Sequence, residues 1–304
     1  MALENIFKPV AGLRPKVACE IRPEGVVAAR AGKRRDEIVV SFSALPEGAV
    51  TPGLKVPNLA DAGAVTSAIE SALGDINARS KAVTLVVPDA AARVLLLDFD
   101  TLPSKRSEAL SVVRFRLRKM VPFDVEGAAV SYQVMTEKRG QLNVLVTVMP
   151  GDVLEEYEGV VREAGYEPGV VLPSTLAAAA AVGDAGAALM VNHTGSSVTT
   201  AITQSDEMLL HRSMDLPAEA MAREEEMAQA VITALAWYED TLQRLPSTMY
   251  YAGVGGASAA AQSRWAALVE PAPRIVDLGA AEMESALTSI PAGVTAGVAG
   301  ALAT

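Results

Sequence analysis

The run Ala188-Leu189-Met190-Val191-Asn192-His193-Thr194-Gly195-Ser196-Ser197-Val198-Thr199-Thr200-Ala201-Ile202 holds the residues best suited to chemistry. An apolar strand enters a turn of small residues, and an alternating strand leaves it. Successive backbone N–H groups and hydroxyls in such a turn make a concavity that suits a phosphate. Asn192, Gly195, Ser196 and Ser197 are its candidate ligands; the plain alternative is a hairpin turn between two core strands. Asn192 is neutral, so it cannot act as a general base or hold Mg²⁺ as an anion would. A second glycine turn, Gly253-Val254-Gly255-Gly256, follows the short apolar run Met249–Ala252 and precedes a helix from Ser258. Double glycines mark turns or close approaches of the backbone.

Other reactive groups are few. The single cysteine, Cys19, lies on an apolar strand and reads as a core residue. One cysteine permits no internal disulfide, which fits a reducing compartment. His193 and His211 are the two histidines, and without a Cys/His cluster no zinc site is expected. His193 could bond a ligand at the turn or simply satisfy a strand end. No Ser/His/Asp set and no paired carboxylates stand at convincing spacing, so no catalytic residue and no metal ligand is assigned.

The elements that must position these turns form a repeated order. Val17–Arg30 reads as strand, turn at Pro23–Gly25, strand, and Glu37–Ser43 as a third strand. Asp61 caps a helix with Val65, Ala68, Ile69 and Ala72 on one face. Ala82–Val87 is an apolar strand ended by Pro88, with Arg93–Phe99 as its expected partner. A helix is expected over 104–120, a hairpin over 130–148, and a helix from Asp152 stopped by Gly165. The second half repeats this outline: three strands over 189–210, a long helix over 217–245, then strands at Met249–Ala252 and Arg274–Leu278. A duplicated α/β unit with a cleft between its halves follows, and ligands favour such junctions.

Length and composition agree. The chain has 304 residues, half of them hydrophobic, with mean hydropathy +0.26, enough for two domains or one two-lobed domain. A net charge of −10 and a pI near 4.9 argue against non-specific nucleic-acid binding. The N-terminus is too polar for a signal peptide. The Ala/Gly tail Ile290–Thr304 reads as a buried helix rather than a membrane span. A soluble cytoplasmic protein is expected, without direct membrane insertion.

This order of elements resembles the actin-like ATPase superfamily, and within it the PilM-like proteins of type IV pilus assembly. Leu102-Pro103, the helix to Met120-Val-Pro-Phe123, and Val130-Ser-Tyr-Gln-Val134 resemble that family's inserted small subdomain. Asn143–Val148, the helix to Ala164-Gly-Tyr-Glu-Pro168, and Leu172–Ala181 are similar to the passage into its second lobe. Met249–Ala257 and Gly293–Ala303 resemble its glycine turn and closing helix. The resemblance implies an α/β, ribonuclease H-like two-lobed fold. Lobe I would cover 1–183 with an inserted α+β subdomain at about 81–140, and lobe II would cover 184–304.

It also implies a pocket for ATP with Mg²⁺, but this chain departs from the pattern. The first phosphate loop, Asp-x-Gly-Ser in the family, reads Glu20-Ile21-Arg22-Pro23-Glu24-Gly25 here, with Val27 at the lysine position. Pro23 removes an N–H donor, and Glu24 sets a negative charge where polyphosphate would lie. The second loop's Asp becomes Asn192, and the purine-side turn at Gly253, Gly255 and Gly256 is kept. A vestigial pocket is expected, and with it a pseudo-ATPase scaffold in a pilus or related secretion machine. The expected partners are the N-terminal tail of a PilN-like inner-membrane protein and a pilus ATPase. Through the former the chain would be peripheral to the inner membrane. The helix holding Arg106, Arg114, Arg116, Arg118 and Lys119 is locally basic, and Arg114, Leu117, Arg118 and Phe123 are the expected partner contacts. The alternative is an active ATPase or sugar-kinase-like phosphotransferase, for which Asp98, Asp100 and Asp215 are the acids to consider.

Overall fold

The computed structural model describes residues 14–32, 38–138, 140–182, 186–205, 207–253, 263–265, 267, 270, 273–278, 283–285, 290–291 and 293–303. Strands β1 (Val17–Arg22), β2 (Gly25–Ala31) and β3 (Ile38–Ala44) form an antiparallel meander. β4 (Ala82–Val87) then lies parallel to β1 on its free side. Its own crossover is α1 (Ala62–Asp75), as parallel pairing requires. Asp61 accepts from the Ala64 N–H at 2.9 Å, and Val65, Ala68, Ile69 and Ala72 are buried, so both the cap and the apolar face expected from sequence hold. β1 is buried along its whole length, its two charged residues Glu20 and Arg22 included.

Between β4 and the next strand of this sheet the chain leaves it. β5 (Arg93–Phe99), β6 (Ala129–Lys138) and β7 (Gln141–Met149) form a separate three-stranded sheet in the order β5-β7-β6. The expected pairing of Arg93–Phe99 with Ala82–Val87 is therefore corrected: β5 pairs with β7. Pro88 and a 3₁₀ turn at Asp89–Ala91 redirect the chain, and the open side of β4 is filled by β8 (Glu167–Pro173) after helix α3 (Gly151–Glu163). β4, at the start of the stretch expected to be inserted, thus belongs to the larger sheet. Helix α2 (Arg106–Leu117) covers the small sheet with Ala109, Val113 and Leu117. It is shorter than the 104–120 periodicity suggested, because Lys105 is extended and the chain turns after Arg118.

α4 (Ser174–Ala179) leads to the second large sheet: β9 (Ala187–Thr194), β10 (Ser197–Gln204), β11 (Glu207–Asp215), β12 (Thr248–Gly253) and β13 (Arg274–Asp277), in the order β11-β10-β9-β12-β13. Helix α5 (Ala220–Leu242) crosses from β11 to β12 and buries Val231, Ala234, Leu235 and Tyr238. The first sheet reads β14-β3-β2-β1-β4-β8, where β14 (Met283–Ser285) is parallel to β3. Apart from β14 the two orders are the same, so the α/β unit is duplicated.

The closing helix α6 (Ala296–Leu302) returns to the first sheet and packs on β1, β2, β4 and α4. A Cβ on Gly300 would overlap the Ala177 carbonyl of α4, so the two helices meet backbone to backbone. Gly300→Ala should lose about 2–3 kcal/mol of stability in urea unfolding through overpacking, although alanine is the better helix former by about 1 kcal/mol. An unchanged or raised midpoint would refute this close packing.

Candidate functional site

The β1–β2 and β9–β10 turns, which would cradle phosphate from either side, touch each other. The Pro23 ring lies against Gly195: a Cβ at Gly195 would stand 2.6 Å from Pro23 Cγ, and Gly195 has φ +56°, a left-handed conformation that glycine adopts without strain. The Gly195 N–H donates to Glu24 Oε1 at 2.9 Å. Arg22 reaches between the turns. Its Nη1 donates to Glu20 Oε1 at 2.8 Å, its Nη2 donates to the His193 carbonyl at 3.3 Å, and its Nε lies 3.4 Å from Glu24 Oε2. The Arg22 side chain is 2% exposed.

A second layer lies beneath. The Asn192 amide donates to Thr175 Oγ1 at 2.9 Å, to Ser174 Oγ at 3.1 Å and to Asp89 Oδ2 at 3.4 Å. Thr175 donates its N–H to Asp89 Oδ1 at 3.0 Å and its hydroxyl to Asp89 Oδ2. Ser174 donates to Glu20 Oε1 at 2.8 Å. The hydroxyls of Ser174 and Thr175 thus each accept from Asn192 and donate to a carboxylate. The chain of donors is satisfied only if residue 192 supplies N–H groups.

Electrostatics follow from this burial. Burial pushes the Glu20 carboxyl up, while Arg22 and the Ser174 hydrogen bond pull it back; it stays above the usual carboxylate range. Burial works against the Arg22 charge, but Glu20 and Glu24 outweigh it and hold the guanidinium above its ordinary value. Burial lowers His193, whose Nε2 lies 3.2 Å from the Gly195 carbonyl within its own turn. Burial, and secondarily Glu20, lifts the Cys19 thiol to about 12, so it is a core group rather than a nucleophile.

The candidate phosphate ligands are accordingly engaged by the protein itself. Asn192 faces Asp89 and α4, and the Gly195 N–H holds Glu24. Ser197 Oγ bonds within the turn to Thr194, and Ser196 is exposed, its carbonyl accepting from Leu216 at 2.6 Å. A phosphate at Gly195 would meet the Glu24 carboxylate, so these residues do not fit a nucleotide's phosphates. Gly253 packs on the 293 turn, its N–H donating to the Gly293 carbonyl at 3.0 Å. Gly255 and Gly256 lie outside the described residues. Asp98 and Asp100 are exposed near β5, and Asp215, opposite Ser197 at the end of β11, is exposed as well. No group of three or more His, Cys, Asp or Glu suited to a metal occurs among the described residues.

Sequence reasoning noticed Arg22 and Glu24 as departures but missed the partnership of Glu20, Asp89, Ser174 and Thr175. One signal was present: Glu20 and Arg22, two apart in an apolar strand, share a face, and buried charges must pair.

The expected partner residues separate. Leu117 is fully buried beneath α2, and Arg114 donates to the Val125 and Ala128 carbonyls, the latter at 2.9 Å. Both hold the small subdomain together, and Leu117 presents no surface of its own. Arg118 pairs with Glu126 at the surface, and Phe123 is half-buried against the subdomain core. A groove of about 140 Å³ instead opens between the subdomain and the first sheet, lined by Val87, Ala129, Ser131, Met149, Leu154 and Val171 among others. β6 is an end strand of its sheet, so among the described residues one of its hydrogen-bonding edges has no strand neighbour in that sheet. No helix among the described residues is long and apolar enough to cross a membrane.

No protein-family model matches the chain, and no curated protein sequence does. Solved structures do. A structure described as the PilM-PilN type IV pilus biogenesis complex is similar with a TM-score of 0.71 and 16% identity, over 87% of this chain and 89% of that one. The cytoplasmic domain of EpsL, an inner membrane component of the type II secretion system of Vibrio cholerae, is similar with a TM-score of 0.50 and 12% identity, over 94% and 92%. The chain therefore has the two-lobed, actin-like fold, PilM-like in its organisation.

Proposed function

We propose that this chain is a scaffold of a type IV pilus or related secretion machine. It would act on the cytoplasmic face and capture the extended N-terminal tail of a PilN-like inner-membrane partner. The carrying observation is that the β1–β2 and β9–β10 turns are tied to each other while an open groove lies elsewhere. Arg22, Glu24 and Pro23 fill the space between the phosphate turns, while an apolar groove and an open β6 edge stand apart from it. An extended peptide can add to such an edge and drop alternate side chains into such a groove. The likeness to the PilM-PilN complex supports this reading. A pilus ATPase is a second partner that would complete the scaffold role, testable by pull-down.

The pocket is vestigial in this reading, and the ATPase or kinase alternative lacks a fitting phosphate site. One experiment with two arms tests the proposal. Calorimetric titration with a peptide from the cytoplasmic N-terminus of a PilN-like protein of the same organism should show binding. Ala129→Trp, which fills the groove, should weaken it roughly tenfold, the loss of one well-seated anchor, without lowering the melting temperature. Absent binding, or binding indifferent to Ala129→Trp, overturns the tail-capture claim. In the other arm, Mg²⁺-ATP should leave the melting temperature unchanged at concentrations where a micromolar site would add roughly 2–4 kcal/mol. Stabilisation with turnover overturns the vestigial pocket.

A further inference from the structure

The outer face of α2 and the turn after it carry a side-chain mix that folding does not explain. α2 buries Ala109, Val113 and Leu117, yet Phe115 is 72% exposed, Met120 45% and Val112 38% on its other sides. Lys105, Arg106, Arg116, Arg118 and Lys119 stand exposed around them, in a chain whose net charge is −10. The acids beside this face are Glu108, Asp124 and Glu126. Glu108 lies 3.3 Å from Lys105 Nζ, and Glu126 pairs with Arg118. Arg106 sits over the Tyr132 ring at 5.6 Å. Arg116 and Lys119 have no ion pair among the described residues.

We propose that this face rests on an anionic bilayer surface. A protein partner would ask for a recess or a broad apolar patch, whereas here three apolar side chains protrude from a convex helix with cations between them. That pattern suits the headgroup boundary, where apolar tips enter and lysines and arginines meet lipid phosphates. The chain's excess acid does not forbid this. Charges more than a Debye length away, about 10 Å at 0.1 M salt, are largely screened, and the acidic run Glu224–Glu226 lies on α5 over the other large sheet. The proposal rests on this patch alone and does not use the tail-capture reading.

The full chain, with no peptide present, should sediment with vesicles of one-third phosphatidylglycerol in phosphatidylethanolamine at about 0.1 M salt. It should stay in solution with phosphatidylcholine vesicles. Arg116→Glu with Lys119→Glu should weaken the partition at least roughly tenfold, since each cation near such a surface contributes on the order of a factor of five. Both positions are exposed, so the melting temperature should hold. The indole introduced by Phe115→Trp should be quenched by brominated acyl chains. Absent partition, partition indifferent to the charge reversal, or an indole at position 115 that escapes quenching overturns the proposal. So does loss of poly-glutamate capture in the charge-reversed variant without vesicle binding, which would mark a site for acidic protein segments.

Discussion

Arg22→Ala should lose about 3–5 kcal/mol of unfolding free energy at pH 8, the typical cost of stranding a buried charge by removing its partner. In a domain whose whole stability is about 5–15 kcal/mol, that leaves little. The side chain touches three groups that have few alternatives. Glu20 is fully buried, Glu24 is partly exposed, and the His193 carbonyl belongs to the opposite turn. Without the guanidinium, Glu20 keeps only the Ser174 hydroxyl on Oε1, and its Oε2 already faces Gly297 of α6 with no hydrogen-bond partner among the described residues. Replacing Glu20 by Gln in the same chain should return a large part of the loss, because the stranded charge is then gone.

The pH dependence carries a sign. Burial already raises Glu20 and Arg22 is the largest opposing cause, so removing Arg22 raises the folded-state value further. A carboxyl raised in the folded state binds its proton more tightly there than when unfolded. Its contribution is favourable at low pH and is lost as pH rises from the unfolded value, about 4.3, through the raised folded one. The deficit of Arg22→Ala should therefore narrow in urea melts at pH 5 relative to pH 8. A loss under about 1 kcal/mol at pH 8, or a deficit that widens on acidification, would mean that the Arg22 cluster does not hold the turns together.

Asn192→Asp is the second large effect, and it runs against intuition. The change restores the acid that an actin-like phosphate loop carries, yet it should destabilise the chain by roughly 3 kcal/mol at neutral pH. The Asn192 amide nitrogen is 3.4 Å from Asp89 Oδ2 and donates to both Thr175 and Ser174. A carboxylate there supplies no donor, leaves the Ser174 and Thr175 hydroxyls without the N–H they accept from, and sets like charges together in a buried site. The new carboxyl would be raised in the folded state, so its penalty is present above the unfolded value and fades as pH falls. Urea unfolding at pH 5 and pH 7.5 measures this. If the variant is as stable as the parent at pH 7.5, or gains Mg²⁺-ATP binding, residue 192 is not the donor that the network requires.

The fold was largely legible in the residues. Apolar runs, Gly and Pro punctuation and helical periodicity are local signals. They placed β1 to β3, the Asp61-capped helix and the β9–β10 hairpin where the structure has them. Pairing partners are not local. Arg93–Phe99 has the composition of a strand that would suit β4 or β7 equally; in the fold β8 takes the edge of β4 and β5 pairs with β7. The burial of Leu117 was not legible for a similar reason. Helical spacing shows that residues share a face, but not whether that face turns inward.

The site divides along the same line. Sequence alone determined the groups that the two turns carry: a proline that cannot donate, a glutamate with its negative charge, and an asparagine without charge. Only the tertiary structure decided what those groups do. Glu24 and Gly195 are 171 residues apart, as are Arg22 and His193, and Asn192 and Asp89 are 103 apart. Their hydrogen bonds exist because the duplicated sheets bring two turns into contact. The residue types of the two turns are legible in the chain order, whereas the contacts between them join segments that the chain order keeps far apart.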